Sequence, residues 1–304
     1  MALKALLLTI FTACAAVAQE PASAPFNMKV QVDEVEITLH ANDSNGHSVN
    51  DLQARELKIT DNGQPPRRIV SFEQLRDLPL RAGILIDTSS SMEASRPSIR
   101  SIASTFAERI LEHLQEQKTD QAFVMSFNRG FQMRRAWTSD AVELKNAIQA
   151  TGTYPSTTAI YDTIYAVCRQ QFAPLPHDTS GNLIMLFSDG EDDASYLPLR
   201  SAVDMCQQTN TAIYVFRPDS AAVGLGNLSQ LATLTGGRVF RTGASPLEIE
   251  EDLRIIRSNL SNQYRLVYNP ATLARDGSFH QVLILPPDRV ANVQVRSGYY
   301  APSR

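Results

Sequence analysis

Long apolar runs are scarce in this 304-residue chain. Beyond its N-terminal segment, no stretch offers the roughly 20 apolar residues that a membrane-spanning helix needs. Basic residues are also few: 28 Lys and Arg against 32 Asp and Glu leave a net charge of −4 and a pI near 5.8. Phosphate binding needs a basic face, so nucleic acid is excluded as the main partner. There is no G-x-S-x-G nucleophile elbow, no Walker-type phosphate loop and no zinc-type His/Cys cluster. Charge runs and low-complexity tracts are absent as well. What remains is ordinary: 43% apolar and 20% charged residues suffice for a packed core and exclude wholesale disorder. The length suggests about two domains.

The one long apolar run stands at the start. "MALKALLLTIFTACAAVAQ" places Lys4 before an apolar stretch from Ala5 to Val17 and closes with Ala16-Val17-Ala18. A basic n-region, an apolar h-region and a small-x-small site predict a signal peptide over 1–18, cleaved after Ala18. A retained membrane anchor is one alternative. Lipid attachment at Cys14 is another, although Phe11 fits a lipobox poorly. The expectation is a secreted, periplasmic or cell-envelope protein with no transmembrane segment once the signal is removed. Removal also leaves two of the three cysteines, Cys168 and Cys206, each on a predicted helix. In an oxidising compartment they can form a disulfide if the two helices meet, or remain buried thiols if they do not.

Residues 19–27 are Pro- and Ala-rich and read as a linker. A β segment follows over 28–76, with Val30 and Val32, then Val35, Ile37 and Leu39 alternating around a phase change at Asp33-Glu34. A turn cluster surrounds Gly46, and Asn62-Gly63 predicts a hairpin between two further short strands. From Leu80 the pattern changes. "AGILID" is continuously apolar, as in a strand buried on both faces. Ile99, Ile102, Phe106, Ile110 and Leu114 then recur at helical spacing, and strands and helices alternate to about residue 260. This predicts an α/β fold over 80–260: a doubly wound, mostly parallel sheet with helices on both faces. The Asn-Arg-Gly turn between 121–127 and 131–137 makes one edge strand antiparallel. Residues 261–304 return to β alternation. Each terminal β segment is small for an independent core. They are expected to pair into one β-sandwich beside the α/β block, two separate modules being the alternative.

Ligands of open parallel sheets bind beyond the carboxyl ends of strands, where the strand order reverses. Three polar clusters occupy such positions. They are Asp87, Ser89 and Ser91 in "ILIDTSSSM", Thr157-Thr158 in "YPSTTAIYDTI", and Asp189 in "LIMLFSDGEDD". They converge if the first and fourth strands of the block are neighbours. Two carboxylates with neutral hydroxyls suit a hard divalent cation, which wants oxygen ligands. Alternation turns Asp87, Ser89 and Ser91 to one side of the loop and Thr88 and Ser90 to the other. Such a site leaves the metal underneutralised, so an open position favours an acidic group from a partner.

In order and spacing, these three segments resemble the metal-ion-dependent adhesion site of the von Willebrand factor A domain, a D-x-S-x-S loop followed by a Thr and an Asp. The matching positions are Asp87, Ser89, Ser91, Thr158 and Asp189. More loosely, the whole mature chain resembles bacterial secreted proteins described as von Willebrand factor A-related. The resemblance implies a Rossmann-like sheet, a bound Mg2+ (or Mn2+ or Ca2+), and adhesion or scaffolding through a partner protein's Asp or Glu. One departure is Thr157, where many family members carry Gly.

Competing readings are weaker. A polar turn capping the next helix would explain "DTSSSM" alone but not Thr158 and Asp189. A serine hydrolase needs a His base. The five histidines, His40, His47, His113, His177 and His280, fall on predicted β segments, a helix or a Pro-rich loop. An aspartyl-phosphate enzyme would want Asp where Ser89 stands. The reading is therefore a non-enzymatic, metal-dependent binding protein, with a structural envelope-assembly module as the alternative. Glu191-Asp192-Asp193 is open between a rim that repels or selects ligands, a second cation site and a solvated acidic loop. Trp137, the only tryptophan, is open between edge-strand packing and ligand contact.

Overall fold

The structure, a computed structural model, describes residues 34–44, 47–111, 120–176, 179–218, 224–242 and 245–303. The predicted signal peptide, the linker and the Val30/Val32 alternation lie outside these residues, as do Gly46, His113, Leu114 and His177. Strand β1, Val35–Asn42, buries its alternating Val35, Ile37, Leu39 and Ala41. Strands β2, Lys58–Asp61, and β3, Arg68–Leu75, follow. Between them, Asn62 and Gly63 adopt the left-handed turn their composition predicts, with φ of 50° and 75°. The expected hairpin nevertheless stops there. Asp61 and Gln64 form a lone antiparallel bridge. Pro65 and Pro66 come next and have no N–H to give a ladder. β2 and β3 then join different sheets.

Strand β4, Leu80–Asp87, is almost wholly buried, and helix α1, Arg96–Leu111, packs Ile99, Ile102 and Phe106 onto the core. Strands β5, Gln121–Phe127, and β6, Phe131–Thr138, form an antiparallel pair. Helix α2, Ala141–Gln149, is capped by Asp140, whose carboxylate accepts the Val142 and Glu143 N–H groups. Helix α3, Ile160–Val167, runs into a π turn over Cys168–Phe172. Then come β7, Gly181–Phe187, α4, Leu199–Gln208, and β8, Thr211–Arg217. Helix α5, Leu225–Thr235, stops at Gly236, whose φ of 85° ends the helical path. After β9, Val239–Arg241, helix α6, Pro246–Ser261, opens on a reciprocal Ser245/Glu248 capping box. Strands β10, Gln263–Asn269, β11, Phe279–Leu285, β12, Asn292–Val295, and β13, Gly298–Tyr300, complete the chain.

The central sheet runs β6-β5-β4-β7-β8-β9, all parallel except β6. One core cluster joins one face of this sheet to α1, α2 and α6, and a second joins the other face to α3, α4 and α5. This is the doubly wound α/β architecture that the alternation predicts. The strand order reverses between β4 and β7, so the switch point lies at their carboxyl ends. Two antiparallel sheets, β12-β1-β10-β3 and β13-β11-β2, share a third core built from Ile37, Leu39, Ile59, Leu266, Val282 and Ile284. Here strands from before and after the α/β block meet, with Val35 opposite Tyr268 and Leu39 opposite Tyr264.

Helices α3 and α4 do meet, and Cys168 and Cys206 form a disulfide with a Cα–Cα distance of 5.3 Å. Both are fully buried beside Phe172, which also packs edge-on against Trp137. Trp137 is thereby an edge-strand packing residue, in contact with Phe123 as well. The disulfide closes a loop of 38 residues. A Cys168→Ser/Cys206→Ser chain is expected to lose about 3 kcal/mol of stability, chiefly through a freer unfolded state. Urea denaturation followed by Trp137 emission measures this, and an unchanged midpoint would contradict it.

Candidate metal centre

Parallel register sets Ile86 opposite Phe187, so β4 and β7 release their next residues side by side at the switch point. Asp87 is 2% exposed. Its Oδ1 accepts the Ser89 N–H at 2.9 Å, and its Oδ2 accepts the Ser188 hydroxyl at 2.8 Å. The Ser89 and Ser91 hydroxyls stand 3.2 Å apart. Thr88 turns away and donates its hydroxyl to the Phe127 carbonyl at 2.9 Å, while the Ser90 hydroxyl points to the Tyr154 carbonyl. The side chains sort as the alternation read from "DTSSS" predicts, although Ser90–Met92 form a 3-10 turn rather than an extended strand.

Asp189 completes a pair of buried carboxylates. Burial pushes the Asp87 carboxyl up to about 6, against the stabilising Ser89 N–H and the Ser89 and Ser188 hydroxyls, and the Asp189 charge pushes it in the same direction as burial. Asp189 Oδ1 accepts the Glu191 N–H at 3.1 Å. The turn after it requires glycine. Gly190 has φ of 89°, and a Cβ there would meet Leu228 at 2.6 Å and the Gly224 carbonyl oxygen at 2.9 Å.

Thr158 is 4% exposed and is held by its backbone. Its N–H donates to Asp193 Oδ1 at 2.6 Å, and its carbonyl accepts the Asp193 and Ala194 N–H groups. The Ile160 N–H donates to Asp192 Oδ1 at 3.1 Å. Asp162 accepts the Tyr196 and Leu197 N–H groups. On its other flank the same loop ties to the first, through the Tyr154 N–H on the Thr88 carbonyl at 2.8 Å. The structure thus brings Asp87, Ser89, Ser91 and Asp189 together and straps the Thr158 loop between their two loops. Among the described residues, Thr158 is bonded through its backbone to Asp193 and Ala194 rather than to the other four.

Three residues escaped the sequence reasoning. Ser188 fixes the second oxygen of Asp87; its signal was a polar residue directly past a buried strand. Asp192 and Asp193, open between rim and solvated loop, instead fasten the threonine loop. Their signal was only a run of acids, which does not distinguish a cap from a surface.

The donor set is all hard oxygen. Hydroxyl and carboxylate oxygens are the donors a hard divalent ion takes, and among the described residues no group of three or more His, Cys, Asp or Glu side chains gathers. Two desolvated carboxylates beside paired hydroxyls form a site whose charge a cation would offset, so the residues fit a hard divalent ion.

Residues 83–191 match the family model of the von Willebrand factor type A domain, a span that includes all five candidate residues. Among solved structures, the chain resembles proximal thread matrix protein 1 from the mussel byssus with a zinc-occupied MIDAS motif, at 17% identity over 61% of this chain and 48% of that one, TM-score 0.48. It also resembles the conserved hypothetical protein BatB from Bacteroides thetaiotaomicron, at 17% identity over 58% and 97% of the two chains, TM-score 0.46. A third is the von Willebrand factor type A protein from Catenulispora acidiphila, at 13% identity over 82% and 74%, TM-score 0.46. The chain spans about half the length of the first of these. No curated protein matches the sequence.

Proposed function

We propose that this chain, which carries a von Willebrand factor type A domain over residues 83–191, is an exported protein that binds a partner protein through a divalent cation. One observation supports the reading most. Asp87 has both oxygens held in place while the Ser89 and Ser91 hydroxyls face each other beside Asp189. Ser89, Ser91 and Thr158 would hold Mg2+, Mn2+ or Ca2+ through their hydroxyls, with Asp87 and Asp189 bound directly or through water. The cation, when bound, supplies an electrophilic point for a partner's Asp or Glu carboxylate. The chain's own part is to orient the hydroxyls, through the Asp87 contacts, and to keep a second carboxylate, Asp189, close by.

A hydrolase lacks its base among the described residues. His40 and His280 are buried in the β layers, and His47 pairs with Asp43 at the surface. No helix among these residues is long and apolar enough to cross a membrane. Export rests on the predicted signal peptide, and a secreted or envelope location is part of the proposal. The Cys168–Cys206 disulfide accords with an oxidising compartment.

The test pairs a direct metal measurement with capture. Mn2+ titrated into the mature chain is expected to bind saturably by electron paramagnetic resonance and to be displaced by Mg2+. Capture from an envelope fraction is expected to yield proteins held in Mg2+ and released by chelator. A metal that raises the melting temperature while capture ignores chelator would replace this reading with a structural envelope-assembly module.

A further inference from the structure

An open groove of about 440 Å3 lies beside the Asp87–Ser91 loop. Its wall includes Thr88, Ser126, Asn128, Phe131, Arg134 and Tyr154. Thr88 stands between Asp87 and Ser89, so the groove and the candidate metal centre share a wall. Phe131 and Tyr154 are large side chains left 43% and 47% exposed at its rim. Both stand on fixed backbone: Phe131 pairs with Phe127 in the β5–β6 ladder, and the Tyr154 N–H is bonded to Thr88. Among the described residues, no carboxylate lines the groove. Arg134 donates its Nε to the Ser126 hydroxyl at 2.7 Å, and no carboxylate among the described residues pairs with its guanidinium. The next residue, Arg135, by contrast pairs with Glu143.

From this we infer a second recognition subsite: the partner segment that gives one carboxylate to the metal lays a second acidic side chain against Arg134, between Phe131 and Tyr154. The inference rests on the metal-dependent reading above. Charge selects the occupant, because a guanidinium without a carboxylate partner at an acid-free, aromatic-rimmed groove favours an anionic side chain and disfavours a cationic one. Reach sets the spacing. β6 lies two strand spacings from β4, roughly 10 Å, which an extended peptide covers in about three residues. The partner motif is therefore a pair of acids about three residues apart, where a metal site alone would ask for one.

Fluorescence anisotropy with labelled Ser/Gly peptides tests this on the mature chain. One peptide carries a single Asp; the others add a Glu one to five residues away, each measured in Mg2+ and in chelator. The second acid is expected to tighten binding about fivefold near a spacing of three. Arg134→Gln is expected to lose that gain and Arg134→Lys to keep part of it, with Mn2+ titration of each variant reporting that the metal centre is folded. No gain at any spacing, or a gain that survives Arg134→Gln, overturns the subsite and leaves the metal reading standing. So does a failure of every peptide to bind a chain that binds Mn2+. A gain that needs Arg134 but persists in chelator upholds the groove and overturns the metal reading.

Discussion

Asp87→Asn is expected to weaken Mn2+ binding by about 100-fold and, in the metal-free protein, to raise stability. The two effects have one origin. Asp87 is buried beside Asp189, and burial pushes its carboxyl up to about 6. A carboxylate whose folded pKa lies above its unfolded value of 3.8 costs stability wherever it is ionised in both states. The cost is absent below about pH 4, grows as pH rises toward 6 and stays in full at neutral pH. It amounts there to on the order of 3 kcal/mol. Asparagine keeps an oxygen for the Ser89 N–H and can donate its amide to the Ser188 oxygen, so the loop keeps its shape. Removing the charge thus relieves the metal-free protein and disables the site. Melting temperatures with and without Mg2+ measure both: the variant should start higher than wild type and gain nothing from metal. A metal-free melting temperature that falls, as for a core lesion, or a retained Mg2+ response would contradict the assignment of Asp87.

The legible parts of this molecule were those with short-range signatures. The buried strand "GILID" follows from its continuous apolar run. Ser89 and Ser91 sort from Thr88 and Ser90 as alternation predicts, but the chain reaches that arrangement through a 3-10 turn over Ser90–Met92 rather than an extended segment. Convergence of the three polar segments was conditional on β4 and β7 being neighbours, a pairing between residues about a hundred apart that no local pattern encodes. The hairpin at Asn62-Gly63 failed for the opposite reason. The turn formed as its residues dictate, but two prolines denied it a ladder and long-range pairing took each strand elsewhere. The anchoring roles of Asp192 and Asp193 were hidden because their bonds run to backbone N–H groups more than thirty residues away. Arg134 was invisible as a subsite, since nothing in "FQMRRAW" separates an arginine with a carboxylate partner from one without.

The residue just before the Asn62-Gly63 turn, Asp61, ties the β layers together. Asp61→Ala is expected to cost about 5 kcal/mol, because one buried carboxylate serves three donors. Asp61 is 4% exposed. Its Oδ2 accepts the hydroxyls of Tyr268 at 2.9 Å and Tyr299 at 2.7 Å, and its Oδ1 meets His280 Nδ1 at 2.6 Å. Burial and the Asp61 charge hold both tyrosines well above the ordinary phenol range, so they remain protonated and donate. Alanine would strand two phenols and an imidazole in an apolar core at once. It would also release the tie between β2 and the strands β10, β11 and β13. Asp61→Asn keeps one acceptor but turns an amide toward donors, and should cost less, about 2 kcal/mol. The consequence extends to the α/β block, because the chain enters β4 from the β layers and leaves α6 back into them. The Leu78 N–H is bonded to the Ser261 carbonyl at 3.0 Å, which staples that entry to that exit. Urea unfolding of Asp61→Ala should therefore remain a single transition by Trp137 emission and by far-ultraviolet circular dichroism, shifted to lower denaturant. Mn2+ affinity measured well below the transition should stay at the wild-type value, since the ion's proposed ligands stand at the far end of the central sheet. A loss below about 1 kcal/mol would mean that water replaces the carboxylate, and two separated transitions would mean that the β layers and the block fold independently.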